Sequence, residues 1–278
     1  MNCGKLFPEM RIIRLGAIAA VAVLSCGCFQ STTLIHVNAD GTGTIEQTTI
    51  VTNAALRQLR QFANASDEKA RSLDFFSETH AQRIAEALGP DVTVASSARI
   101  KTAEGEGSKT VFAFPDINEL QLKREGTDTG ALGMAEAPQV HFALSHEANG
   151  QSLLRITIPP ASMPPARAST APAGSGGRPQ SRIAPEQLAM VRQIFAGMRV
   201  AIAIEPAGHL VKTSSPFVDG NQVTLVDVAF DQLLANDAAF SRLQTARSIE
   251  DVRAAMSEVP GLKVNLDPEI TIAFTPVR

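Results

Sequence analysis

Apolar residues recur along this chain with two different periods. From Thr33 to Val37 and from Thr44 to Thr52 they alternate with polar ones, as on a half-buried strand, and Asp40-Gly41 between the runs supplies a turn that needs positive φ. The period then lengthens to that of a helix. Leu56, Leu59 and Phe62 share one helical face, and Leu73, Phe76, His80, Ile84 and Leu88 trace a second stripe, stopped by Gly89 and Pro90. Alternation returns in Val92 to Ala103 and Ser108 to Phe114, which predict a second hairpin connected through Glu104, Gly105, Glu106 and Gly107. Val140, Phe142 and Leu144, a turn at Asn149-Gly150, and Leu154, Ile156 and Ile158 predict a third.

Residues 159–182 break both periods. They are dominated by Pro, Ala, Gly and Ser, so burial cannot offset their ordering entropy, and they predict a disordered surface loop rather than a linker between domains. Beyond them a helix from about Pro185 carries Leu188, Val191, Ile194, Phe195 and Met198 on one side. Arg199 to Glu205 reads as a strand broken at Pro206-Ala207-Gly208 and followed by Leu210 to Thr213; Asp219-Gly220-Asn221 turns into Val223 to Phe230. Two short helices follow, the second opened by Ser248 with Asp251 three residues on and closed by Pro260-Gly261, before a last strand from Glu269 to Phe274. The pattern predicts an α+β fold: a largely antiparallel sheet of about eight to ten strands built from hairpins, with amphipathic helices mainly on one face, in a single domain over 29–278.

Composition narrows what such a body can do. Hydrophobic residues make up 44% of the chain, enough for a packed core, yet no cysteine follows Cys28, so the body has neither an intrachain disulfide nor a thiolate metal site. The chain has no Trp or Tyr, which disfavours carbohydrate binding by stacking. Setting aside Lys5, Arg11, Arg14 and Glu9 leaves 22 basic against 27 acidic residues, a formal charge of minus 5 that argues against nucleic acid as a partner.

Candidate chemistry is sparse. Asn38, Asp40 and Gly41 match part of a calcium-binding loop, but His36 and Gln47 stand at its first and twelfth ligand positions and strands flank it, so a hairpin turn is the better account. His80 falls on or beside an apolar helical face without a partner at ligand spacing. His141 and His146, five apart on a strand, point to opposite faces and predict surface residues rather than a shared metal site. Asp227 lies in a predicted strand and Asp231 reads as a helix cap, so they do not form an acid/base pair. No G-x-S-x-G, H-E-x-x-H or phosphate-binding glycine loop occurs. The expectation is a protein that is not an enzyme and holds no cofactor or metal.

The stretch MRIIRLGAIAAVAVLSCGC, from Met10 to Cys28, points to location instead. Arg11 and Arg14 precede an apolar run, Leu15 to Leu24, whose roughly ten residues at about 1.5 Å each cover only half of a ~30 Å hydrocarbon core, as in a cleaved export signal over residues 1–25. Met10 opens a complete signal by itself, so translation is expected to start there. Val23-Leu24-Ser25-Cys26 resembles the lipobox of bacterial lipoproteins. That resemblance implies a diacylglyceryl group on Cys26, with Cys28 as the alternative because Ser25 replaces the apolar residue three positions before it. In the body, DGTG at 40–43, RVAIAIEPAGHLV at 199–211 and VDGNQVTLVDV at 218–228 resemble the LppM-type domain of bacterial lipoproteins, which implies a sheet-and-helix envelope module and carries over no functional residue. The expected function is a structural or protein-interaction module, lipid-anchored at the cell or outer membrane, facing the periplasm or exterior and paired with an envelope protein. The alternative is a binding module for an apolar ligand such as a lipid, held between strands like Val140 to Leu144 and helices bearing Phe62, Phe76 and Phe195.

Overall fold

A computed structural model describes residues 29–53, 55–57, 76–122, 140–158, 192, 195 and 197–277. The leader with Cys26 and Cys28, Leu59, Phe62 and Leu73, the segment 159–182, and the helix expected from Pro185 apart from Arg192, Phe195, Gly197 and Met198 lie outside the described residues.

Strands β1 (Phe29–Val37) and β2 (Gly43–Thr52) form the first hairpin. Its turn is closed by its own side chains: Thr42 donates to Asp40 Oδ1 from its backbone nitrogen at 3.0 Å and from its hydroxyl at 2.7 Å, while Gly41 takes φ +90°. These bonds hold the Asp40 carboxyl below its usual range. Helix α1 (Glu78–Leu88) begins later than its apolar stripe, because Ser77 caps it by accepting from the His80 nitrogen and leaves Phe76 outside. Strands β3 (Thr93–Lys101) and β4 (Gly105–Phe114) form the second hairpin. Its connection is only residues 102–104, since the Thr102 hydroxyl accepts from the Gly105 nitrogen and draws both glycines into the strand. Strands β5 (His141–His146) and β6 (Ser152–Thr157) form the third.

In the second half, β7 (Arg199–Pro206) runs into β8 (Gly208–Thr213), and β9 (Val218–Asp219) turns into β10 (Gln222–Ala229). Helices α2 (Phe230–Ala235), α3 (Asp237–Thr245) and α4 (Ile249–Ser257) follow, then β11 (Lys263–Val264) and β12 (Glu269–Pro276). The Ser248–Asp251 capping box forms as its spacing predicts, and the Arg247 backbone nitrogen, donating to the Asp251 carboxylate together with Ser248, lowers the Asp251 pKa. Asp231, by contrast, does not cap α2: Ala229 precedes the helix, and the Asp231 carboxylate accepts from the Gly197 nitrogen at 2.8 Å.

The fold is α+β, and its strands divide between two sheets. Eight form one, in the order β11-β10-β7-β1-β2-β4-β3 with β9 beside β10; four form the other, β5-β6-β12-β8. Neighbours pair antiparallel except β1 and β7, which run parallel with Ile35 opposite Ile204. What reads in the sequence as a broken strand at Pro206-Ala207-Gly208 is the chain leaving one sheet for the other. Asn221 fastens that crossing, its Nδ2 donating to the Pro206 and Gly208 carbonyls and its Oδ1 accepting from the Leu210 nitrogen, each at 2.7 Å.

Period-two registration decides what each face buries. On one face of the larger sheet Ile204, Ile35, Ile45 and Phe112 stand in a row across neighbouring strands, all at 0–1% exposure. They join one core cluster with Phe142, Leu154, Ile156, Ile270, Ile272 and Phe274 of the smaller sheet. The strand expected to border a ligand gap, β5, therefore packs Phe142 into a filled core. Leu233 of α2, Ala239 of α3 and Val259, just past the end of α4, make a separate small cluster.

A buried amide repairs the one irregularity in β10. Between Thr224 and Val226 the pairing with β7 shifts, and Asn265, 7% exposed, donates from Nδ2 to the Thr224 carbonyl at 2.8 Å and to Ser215 Oγ at 3.0 Å; its backbone nitrogen reaches the Leu225 carbonyl at 2.9 Å. Leucine at this position would strip a buried carbonyl and a buried hydroxyl of their donor. We expect Asn265→Leu to lower stability by about 3 kcal/mol in urea denaturation, whereas an exposed control such as Asn149→Ala should move it by under about 1 kcal/mol.

Candidate functional site

The face that carries the Ile204–Ile35–Ile45–Phe112 row changes character along the strands. Two residues on, across β1, β2, β4 and β3, the row reads Thr33, Gln47, Thr110 and Ser97, and two further Ser31, Thr49, Ser108 and Arg99, while β7 stays apolar with Ile202 and Val200; Phe29 then pairs with Val51. An apolar floor thus becomes a hydroxyl-bearing one and ends on two apolar side chains. The smaller sheet covers the apolar end, and α1 covers the polar end.

Helix α1 does not fill the space beneath it. Its buried residues are both small: Ala81 faces the hydroxyl-bearing floor, and Ala85 packs into the main core cluster. Between helix and sheet lies a cavity of about 160 Å³. Phe29, Val51, Phe76, Ala81 and Ile84 supply its apolar walls; Gln47, Thr49, Ser97, Ser108 and Thr110 supply its floor, with Ser77 and His80 also lining it. Thr110 is 5% exposed, and its hydroxyl lies 3.2 Å from that of Ser97. Such a pair shares one proton, so a second hydroxyl proton remains to be donated. At the far end of α1 the Leu88 carbonyl accepts from the Gln121 nitrogen at 2.7 Å.

The size of the space limits its contents. Pockets for drug-sized ligands run from roughly 300 Å³ upward, while a cavity of about 150 Å³ accepts a benzene-sized group. This one suits a short apolar segment carrying a group that can accept hydrogen bonds.

The other residues singled out by sequence are engaged elsewhere. Phe76 reaches the cavity, but Phe195 stacks on Phe230 with ring centroids 5.2 Å apart, away from it. His141 and His146 are exposed, and His146 Nδ1 lies 3.3 Å from Ser152 Oγ, so the two do not converge. Asp227 holds Arg199 through two 2.9 Å bonds, which raise the arginine's pKa, and so does not pair with Asp231. Among the described residues no group of three His, Cys, Asp or Glu side chains is placed to hold a metal ion, and no helix is long and apolar enough to cross a membrane. Sequence reasoning missed Phe29, Val51 and the hydroxyl floor, although the signal was present: odd-numbered positions of β2 run Ile45, Gln47, Thr49, Val51, polar between two apolar ends.

No protein-family model and no curated protein matches the chain. Among solved structures it is similar to the NMR structure of the folded domain of LppM from Mycobacterium tuberculosis, at 9% identity, with 91% of this chain and 93% of that chain covered and a TM-score of 0.34.

Proposed function

We propose that this protein is a lipid-anchored component of a bacterial envelope, with a body that serves as a structural or protein-interaction module outside the cytoplasm. One observation carries the proposal: Val23-Leu24-Ser25-Cys26 closes an apolar run too short to span a bilayer. The acidic body, devoid of cysteine beyond residue 28, fits a module held by its anchor rather than by charge. A buried methylene contributes about 0.8 kcal/mol to membrane binding, so two acyl chains hold firmly where one would exchange. Replacing Cys26 and Cys28 together by serine should move essentially all of the protein out of the detergent-extractable lipoprotein pool and abolish labelling by a radioactive fatty acid. Retention of the label would overturn the anchor. For the module, chemical crosslinking in intact membranes should yield one discrete adduct, and its consistent absence would remove the interaction half of the proposal.

A second reading, binding of an apolar ligand, has the cavity beneath α1 in its favour. It is not an alternative location for the same event: a lipid-anchored module can also bind.

A further inference from the structure

The wall of the cavity and the point of lipid attachment are contiguous in the chain. Phe29 lines the cavity, is 39% exposed and begins β1 in register with Val51, another wall residue. Cys28 is bonded to it directly and Cys26 lies three residues before it, at most about 10 Å of extended chain. We propose that the cavity seats part of the protein's own N-terminal lipid: an ester carbonyl of the cysteine-linked glyceryl group with the first methylenes of its acyl chain. The inference rests on the lipid-anchor reading.

The chemistry of the lining matches that part of the anchor and not its far end. A chain terminus is hydrocarbon alone and would be best received by an aliphatic pocket, whereas this floor carries Gln47, Thr49, Ser108 and Thr110. Their donors suit ester oxygens, which accept hydrogen bonds but give none. Phe29, Val51 and Ile84 would cover the adjoining methylenes. The volume of about 160 Å³ admits one short segment, so the remainder of that chain and the whole of the second stay outside to hold the bilayer. Occupancy would also bring the seated segment against Ala81 and Ile84, making α1 the element that reports on the anchor.

The test compares the full lipidated chain, purified from bacterial membranes in a maltoside detergent, with its Cys26→Ser/Cys28→Ser counterpart in the same detergent. Intact mass first establishes whether the lipid is present. Amide hydrogen exchange is then followed over residues 80–88. The lipidated protein should exchange there about tenfold more slowly, and Ser108→Leu, which fills the cavity from the floor, should reduce the difference to within about twofold. If Ser108→Leu does not fold, Thr49→Val removes one donor at constant shape and should shrink the difference severalfold. Absence of the lipid mass would overturn the anchor reading and this inference with it. Lipid present with equal exchange in both proteins would overturn the inference alone. Equal protection of the serine protein on adding phosphatidylethanolamine vesicles would assign the cavity to bilayer lipid instead.

Discussion

Replacing Gly107 by alanine should destabilise the protein by about 4 kcal/mol, the largest loss we expect from adding one methyl group anywhere in the described chain. A Cβ at this position would lie 1.9 Å from the Thr49 carbonyl oxygen, 2.9 Å from its carbon and 3.0 Å from the Cα of Ile50. All three are backbone atoms of β2, paired along their length with β4, so no side-chain rotation can make room. Gly105 repeats the conflict at 2.0 Å from the Val51 oxygen. The strands must part where they frame the cavity floor, which takes Thr49 and Ser108 out of register together. Gly150→Ala is the control. That glycine has φ +81° in a turn with nothing within 4 Å of the added methyl, so only the left-handed strain of about 1 kcal/mol applies. Urea denaturation of the two variants should therefore separate crowding from conformational strain by about 3 kcal/mol. Equal midpoints would show that β4 does not approach β2 this closely.

The same two glycines mark where sequence reading reaches its limit. Between alternating segments, Glu104-Gly105-Glu106-Gly107 reads as turn chemistry, because glycine signals both positive φ and close backbone approach and a single sequence does not say which. Only the pairing partner decides, and it lies far upstream in β2, where Thr52 faces Gly105 and Ile50 faces Gly107. Local devices were legible: the Asp40-Gly41 turn, the Ser248 capping box and the Asn149-Gly150 turn depend on residues within a few positions of one another. Non-local ones were not. Nothing in Arg199 to Pro206 announces a parallel partner in β1, nor that Pro206-Ala207-Gly208 passes between sheets rather than simply ending a strand. The cavity was missed for a related reason. Leu88, Ile84 and His80 dominate the helical stripe of α1, yet Ala81 and Ala85 are the side chains it buries, and alanine adds little to a hydrophobic period. The weak signal and the unfilled space have one cause, which is that small residues meet small residues across the helix–sheet contact.

Cutting the chain within 159–182 should leave a single particle, because both sheets are assembled from both halves. The larger takes β1 to β4 from before the cut and β7, β9, β10 and β11 from after it; the smaller joins β6 to β12. The two junctions are extensive. Gln30 to Val37 pair with Arg199 to Pro206, and Ser152 to Thr157 pair with Phe274 to Glu269, placing Ile35 beside Ile204 and Ile156 beside Ile270 in the shared core. Separating the halves would expose these side chains and leave central strands with open edges, each buried Ile or Phe contributing roughly 2 kcal/mol to holding the halves together. A protease site inserted between Gly176 and Gly177 allows a defined cut. After cleavage the two fragments should elute together in size-exclusion chromatography and unfold in one transition in urea. The midpoint should become dependent on protein concentration, since the cut replaces an intramolecular closure with an association. Fragments that elute apart, or unfold in two steps, would show instead that each half stands alone and that the β1–β7 and β6–β12 pairings are not what holds the body together.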